Sequence, residues 1–100
     1  MGLEDIAKMI TQYKSTQRAI VTVIRSIGTD KPTLSTLMTQ TRFKERYLRY
    51  IITMLRRYGI VKGEKHEDGY KYYLSPDAFV EHIKVKFVQA LQNVARGRGG

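Results

Sequence analysis

The chain has 100 residues, no cysteine, and 18 Lys plus Arg against nine Asp plus Glu, a formal net charge of +9. That length suits one small core and is too short for two, and without a thiol there is neither a disulfide framework nor a thiolate metal site. At 42% hydrophobic and 27% charged residues the composition is that of a globular chain, and the basic excess suits a polyanionic partner, with plain solubility as its other use. The longest nearly apolar run, from Ala19 to Ile24, lies between Arg18 and Arg25 and is far shorter than the roughly 20 residues a membrane span needs. MGLEDI at the start is acidic, with no basic stretch leading into an apolar one, so no secretory signal is expected and a cytoplasmic location is.

Leu3, Ile6, Met9, Ile10 and Tyr13 recur at helical spacing, with Glu4 and Asp5 in the first turn where the helix dipole favours carboxylates. This predicts a helix over 3–14. The stripe resets around Lys14, and Ser15 or Thr16 is expected to cap a second helix carrying Ile20, Val23, Ile24 and Ile27 inward and ending at Gly28. Its β-branched content also suits a buried strand, but intervals of three and four, with Arg18 and Arg25 off the stripe, favour the helix. Thr29-Asp30-Lys31-Pro32 reads as a loop, because Pro32 disfavours helical geometry at Lys31. Thr33 then caps a short helix to about Gln40, with Leu34, Leu37 and Met38 inward.

A longer helix is predicted from near Lys44 to Tyr58, stopped by Gly59 in the left-handed conformation. After Gly59 the period falls to two. Segments 60–67 and 70–75 read as strands joined by Asp68-Gly69, a hairpin signal. Ser75-Pro76-Asp77 opens a last helix that runs to about Ala95: a cap, then Pro at the first helical position, then an acid. Arg96-Gly97-Arg98-Gly99-Gly100 is expected to be a flexible tail.

The predicted fold is mainly α with a small β-hairpin. Its element order, carried by PTLSTLMTQTRFKERYLRYIITMLRRYGIVKGEKHEDGYKYYLS, resembles the winged helix-turn-helix family of DNA-binding domains over roughly residues 16–75. The spacing of Leu48, Ile51, Ile52 and Leu55, followed by Tyr58-Gly59-Ile60-Val61, is similar to that family's passage from recognition helix to wing. The resemblance implies a short helix crossing the duplex, the next helix in the major groove, and the hairpin as a wing. It divides 1–95 into an N-terminal helix (3–14), a winged-helix core (16–75) and a C-terminal helix (77–95), all one domain, followed by the 96–100 tail. One departure stands out: the turn that usually carries a small residue or Gly here reads Thr39-Gln40-Thr41-Arg42-Phe43, so an irregular turn with Phe43 packed beneath it is expected. In compactness and basicity the chain also resembles small regulators and chromatin-associated proteins of archaea and their viruses, at the level of composition only.

A helical wheel divides the long helix. At about 100° per residue with Leu48 at zero, Ile52 falls near 40°, Leu55 near −20° and Ile51 near −60°. Arg46, Tyr50, Thr53 and Arg57 fall roughly between 140° and 200°, flanked by Arg49 near 100° and, if helical, Arg42 near 120°. From Arg42 to Arg57 there are five Arg and one Lys against one Glu. A solvated face ordinarily pairs opposite charges at i and i+4, and this face is expected not to. Guanidinium groups take phosphate or guanine O6/N7 bidentately, and an exposed Tyr packs on sugar or a thymine methyl. The candidate DNA contacts are therefore Arg42, Lys44, Arg46, Arg49, Tyr50, Thr53 and Arg57, with Arg18 or Lys31 as further phosphate ligands. The competing reading pairs these arginines with acids elsewhere, at Glu4, Asp5 or Glu81.

Lys62, Lys65, His66 and Lys71 make the hairpin basic, although Glu64, Glu67 and Asp68 dilute it. One or two cations at a wing tip are enough to touch phosphate or the minor groove. Tyr70 and Tyr72 share one strand face and Tyr73 takes the other; either Tyr72 or Tyr73 is expected to close over the core. In the last helix Val80, Ile83, Phe87, Ala90 and Val94, broadened by Phe79, Val88 and Leu91, make a stripe roughly 28 Å long, more than such a domain needs. Leu3, Ile6, Ile10, Ile83, Phe87, Leu91 and Val94 are therefore candidates for a homodimer interface, which would set two recognition helices about 34 Å apart. The alternative is that both terminal helices pack on their own domain.

His66 and His82 are the only histidines and lack metal-ligand spacing, and no Gly-rich phosphate loop is present, so no catalysis, metal or cofactor is expected. The expected function is double-stranded DNA binding by a dimeric, nucleoid-associated transcription regulator. The alternatives are a winged helix that binds protein, or an RNA or single-strand binder using Tyr70, Tyr72 and the tail. No motif specifies a small-molecule effector.

Overall fold

The computed structural model describes residues 2–96; the tail residues beyond Arg96 lie outside it. Five helices and one antiparallel hairpin follow in the order α1 (Leu3–Ile10), α2 (Lys14–Ile27), α3 (Leu34–Thr41), α4 (Glu45–Arg57), β1 (Val61–His66), β2 (Gly69–Leu74), α5 (Pro76–Ala95). Helix α2 runs through the middle and packs on α1, α3, α4 and β2. Its Ile20, Val23 and Ile27 are fully buried against Leu37 of α3 and Leu48, Ile51 and Leu55 of α4. Each such side chain contributes about 1.5–3 kcal/mol through burial, before conformational entropy is subtracted. The α4 stripe is thus inward as the wheel requires, and Ile60, Val61 and Tyr72 carry the core into the hairpin.

Several boundaries differ from expectation, each for a local reason. Helix α1 stops at Ile10 because Thr11 turns to extended backbone (φ −149°). The Thr11 hydroxyl accepts from the Tyr13 N–H at 3.2 Å, and its carbonyl accepts from Gln17 Nε2 at 2.8 Å. Tyr13 is consequently not part of the α1 stripe; it is the N-cap position of α2 and largely exposed. Neither Ser15 nor Thr16 caps α2, since both lie inside it. Thr33 does cap α3, its Oγ1 accepting from the Thr36 N–H at 3.3 Å.

The α3–α4 turn replaces the customary glycine with two devices. Arg42 is not helical: it is the C-cap of α3 in the left-handed conformation (φ 62°), so its wheel position does not apply. Its N–H donates to Met38 O at 2.9 Å. Thr41 Oγ1 donates to Leu37 O at 2.7 Å and accepts from the Phe43 N–H at 3.2 Å. Phe43 then packs partly against the core. Lys44 is the N-cap of α4, one position outside the helix expected to contain it.

At the other end of α4, Gly59 has φ +75°, and a Cβ there would lie 2.9 Å from the Ala78 carbonyl oxygen. That close approach seats the first turn of α5 against the helix-to-hairpin junction. The hairpin turn is centred on Glu67-Asp68 and not on Asp68-Gly69, because Gly69 is already paired with His66. Gly69 follows the turn with φ +126°, the position where glycine is favoured after an ordinary type I turn.

The base of the hairpin is held by the loop before α3. The Tyr72 N–H donates to Pro32 O at 2.9 Å, and Thr33 forms an antiparallel bridge with Lys71. Lys31 adds its Nζ to Glu64 Oε1 at 3.0 Å and lies 5.3 Å from the Tyr73 ring centroid. Helix α5 has Pro76 at its first turn and touches the body through Ala78, Phe79 and a tilted contact of the His82 ring with Tyr58, centroids 5.0 Å apart. None of its residues is fully buried, and the molecule is drawn out to 52 × 30 × 24 Å.

Candidate nucleic-acid interface

Helix α4 presents three longitudinal strips. Opposite the core, Arg46, Tyr50, Thr53 and Arg57 are all exposed, Tyr50 to 55%. Among the described residues no acid stands within salt-bridge distance of Arg46 or Arg57, nor of Arg42, Lys44 or Arg56. The acids that the competing reading pairs with them are engaged otherwise. Glu4 faces Arg25 at 3.6 Å, Glu81 faces Lys84 at 3.5 Å, and Asp5 Oδ2 accepts from the Gly2 N–H at 2.9 Å.

Arg49 departs from the expectation of an unpaired face. Its Nε donates to Glu45 Oε2 at 3.0 Å, one turn back along α4. The pair was legible from the i,i+4 spacing, which the wheel angles alone obscured. Such an exposed pair is worth a few tenths of a kcal/mol, and it leaves the terminal amino groups of the guanidinium free.

One flank of α4 is aromatic. Phe43, Tyr47 and Tyr50 form a continuous row with centroid separations of 5.2 and 6.3 Å, bordered by Lys44 and Arg46. Tyr47 belongs to this surface and was not singled out from the sequence. The opposite flank faces the hairpin and holds Arg56, also missed, because its wheel angle near 80° lies between the core stripe and Arg49. The Arg56 guanidinium sits 5.8 Å from the centroid of the Tyr70 ring.

Strand register decides what the wing offers. Val61, Gly63 and Lys65 lie opposite Leu74, Tyr72 and Tyr70 on the core side; Lys62, Glu64 and His66 share the other side with Lys71 and Tyr73. Tyr72 is buried, and Tyr70 packs edge-on against it at 5.3 Å while lying across Gly63. The two rings pack on each other and on the glycine, while Tyr70 keeps 40% of its surface exposed. Tyr72, rather than Tyr73, is the residue that closes over the core.

Two of the four candidate wing cations have internal partners. His66 Nε2 meets Glu64 Oε1 at 2.8 Å, and Lys71 Nζ meets Asp68 Oδ2 at 3.1 Å. Glu64 is held below its ordinary value of 4.5, first by the hydrogen bond with His66 and then by that from Lys31; Asp68 is held below 3.8, chiefly by Lys71. Lys62 and Lys65 have no acidic partner among the described residues. Arg18 is not brought to this surface; it lines a groove between α1 and α2 with Glu4, Lys8 and Arg25.

The candidate dimer residues separate into two groups. Leu3, Ile6 and Ile10 pack partly against their own core, and Ile83 is half-buried. Phe87, Leu91 and Val94 are exposed, to 65%, 54% and 65%. Met9, Phe79, Val80, Ile83 and Phe87 line an apolar groove of about 350 Å³ between the end of α1 and α5. Among the described residues no helix is long and apolar enough to cross a membrane.

No family model and no curated protein sequence matches the chain significantly. Solved structures do. A MarR family transcription regulator aligns with a TM-score of 0.53 and 17% identity, over 95% of this chain and 64% of its own. BpsR of Bordetella bronchiseptica, whose DNA binding is regulated by 6-hydroxynicotinic acid, aligns with a TM-score of 0.53 and 14% identity, over 92% of this chain and 67% of its own. The chain thus spans about two thirds of the length of these proteins. At such identities the likeness is one of fold, and that fold is the winged helix-turn-helix.

Proposed function

We propose that the chain is a double-stranded DNA-binding protein acting in transcription regulation, with α4 in the major groove and the β1–β2 hairpin as its wing. The observation that carries this reading is the strip of Arg46, Tyr50, Thr53 and Arg57, exposed and without an acidic partner among the described residues, beside a hairpin with Lys62 and Lys65 unpaired. Cations left without internal partners on the outer face of a helix whose other face is buried in the core suit a polyanion whose groove admits one helix. The winged-helix fold, shared with MarR-type regulators, supports the same reading.

In this mechanism Arg46, Tyr50 and Thr53 meet base edges, with Arg57 at the far end of the same strip. Arg42 and Lys44, at the turn before α4, meet phosphate, as does Lys62 or Lys65 on the wing. The exposed apolar side of α5 joins two copies, so that two α4 helices address successive half-sites on nucleoid DNA. The role is non-catalytic.

Salt titration of duplex binding tests the proposal. Six or more phosphate contacts make affinity fall by about three orders of magnitude between roughly 50 and 200 mM salt. A flat response would reject it in favour of a protein-binding winged helix. Selection of bound duplexes from random DNA then separates a reader of sequence, which enriches a motif, from an architectural binder, which does not.

A further inference from the structure

Arg49 and Arg56 lie seven residues apart on α4, two turns and about 10.5 Å along its axis. Both border an open cleft of about 490 Å³ whose other walls include Thr33 and Ser35 at the start of α3 and Asp68, Tyr70 and Tyr72 of the hairpin. The charges in this cleft are unevenly matched. Glu45 is taken by Arg49 at 3.0 Å and Asp68 by Lys71 at 3.1 Å, which leaves Arg56 as the cation without a counter-charge among the described residues. Its guanidinium is backed by the Tyr70 ring at 5.8 Å, and that ring is fixed by Gly63 beneath it and Tyr72 beside it. A guanidinium placed over an aromatic ring keeps its N–H donors available for bidentate capture of an oxyanion.

The position of the cleft names the oxyanion. A helix in one groove and a wing reaching the next must straddle the sugar-phosphate strand that divides the two grooves. On the proposed duplex reading that strand passes between α4 and the hairpin, along the cleft that Arg56 borders, and not along the strip of Arg46, Tyr50 and Thr53.

We infer that this cleft is a phosphodiester site, in which Arg56, backed by Tyr70, grips one backbone phosphate and Arg49 grips a neighbouring one. The inference rests on the proposed duplex reading and assigns the arginines of α4 to separate tasks. Arg56 sets the register of the protein on the backbone, whereas Arg46 faces the bases.

The test measures wild type, Arg56→Ala, Arg56→Lys and Arg46→Ala on a selected duplex and on a scrambled one, across a salt series. For each protomer bound, Arg56→Ala is expected to weaken binding about three- to tenfold on both duplexes alike and to flatten the slope of log affinity against log salt by about 0.9, or about 1.8 for a dimer on two half-sites. Arg56→Lys should keep the slope, since the charge remains, while Arg46→Ala should lose affinity mainly on the selected duplex. A duplex with a neutral methylphosphonate at the phosphate Arg56 grips in each half-site should bind wild type and Arg56→Ala equally, which a merely structural role for Arg56 would not produce. An unchanged slope for Arg56→Ala, or a loss confined to the selected duplex, overturns the inference and leaves duplex binding intact. A flat salt response in the wild type itself overturns the duplex reading, and this inference falls with it.

Discussion

Gly63→Ala gives the sharpest test of how the wing is built. Gly63 has no positive φ, so its backbone accepts alanine without strain. Space is the obstacle: an added Cβ would lie 2.6 Å from Cζ and Oη of Tyr70 and closer still to Cε2. The obstructing atoms are the far end of a side chain, so the ring swings away and the strand stays. Leaving its place costs the Tyr70–Tyr72 edge contact, about 0.5–1.5 kcal/mol, and the Arg56 contact, about 0.5–1 kcal/mol at an exposed site. Replacing a strand glycine returns about 0.5–1 kcal/mol through the unfolded chain. The net is a loss of about 1 kcal/mol, or roughly 4–8 °C in Tm for a domain of this size. In a Tyr70→Ala background both ring contacts are already gone, so the same substitution becomes neutral or stabilising. Thermal and urea melts of the four proteins complete the cycle, with an expected coupling of about 1–2 kcal/mol. Equal destabilisation by Gly63→Ala in both backgrounds would refute the packing argument.

Gly59→Ala differs in kind, because it combines a left-handed backbone (φ +75°) with a carbonyl oxygen 2.9 Å from the new Cβ. Neither obstacle is a movable side chain, so a loss of about 2–4 kcal/mol is expected by chemical denaturation; a loss below that of Gly63→Ala would contradict the seating of α5. For Glu64 the folded pKa lies below 4.5, so its small stabilising effect is complete above that value and disappears as pH falls through the folded one. An NMR titration of the Glu64 carboxyl should show a midpoint under 4.5, raised more by His66→Ala than by Lys31→Ala; a midpoint at or above 4.5 would remove the ion cluster from the wing. Phe87→Glu and Leu91→Glu place charges on the exposed side of α5 and should shift the sedimenting species toward a monomer of 11.6 kDa. A wild type that already sediments as a monomer at micromolar concentration excludes the dimer.

The elements that a period alone specifies were legible in the sequence. Leu48, Ile51, Ile52 and Leu55 could be placed inward because no other arrangement buries all four, and Gly59 marked the helix end because only glycine takes φ +75° freely there. Features that depend on a partner elsewhere were not. Strand alternation puts Tyr70 and Tyr72 on one face but does not say which is buried; that follows from the packing of β2 on α2 and α3, which covers Tyr72. The end of α1 turns on the Thr11 hydroxyl and carbonyl, and the left-handed Arg42 on Thr41 bracing both sides of the turn. Arg56 belongs to the candidate site only because the wing folds back over it, a relation with no signature in the spacing of α4.

The attachment of the hairpin has a mechanical consequence. Pro32, Thr33 and Lys31 tie its strands to the segment that starts α3, and α3 is locked to α4 by the braced Thr41-Arg42 turn. Helix and wing are therefore tied to one another like the two jaws of a caliper. On the proposed reading the protein measures the width of the backbone ridge between its jaws, and a duplex of the wrong width must deform to enter. Selectivity would then extend to base pairs that no side chain touches, through the stiffness of the steps that have to yield.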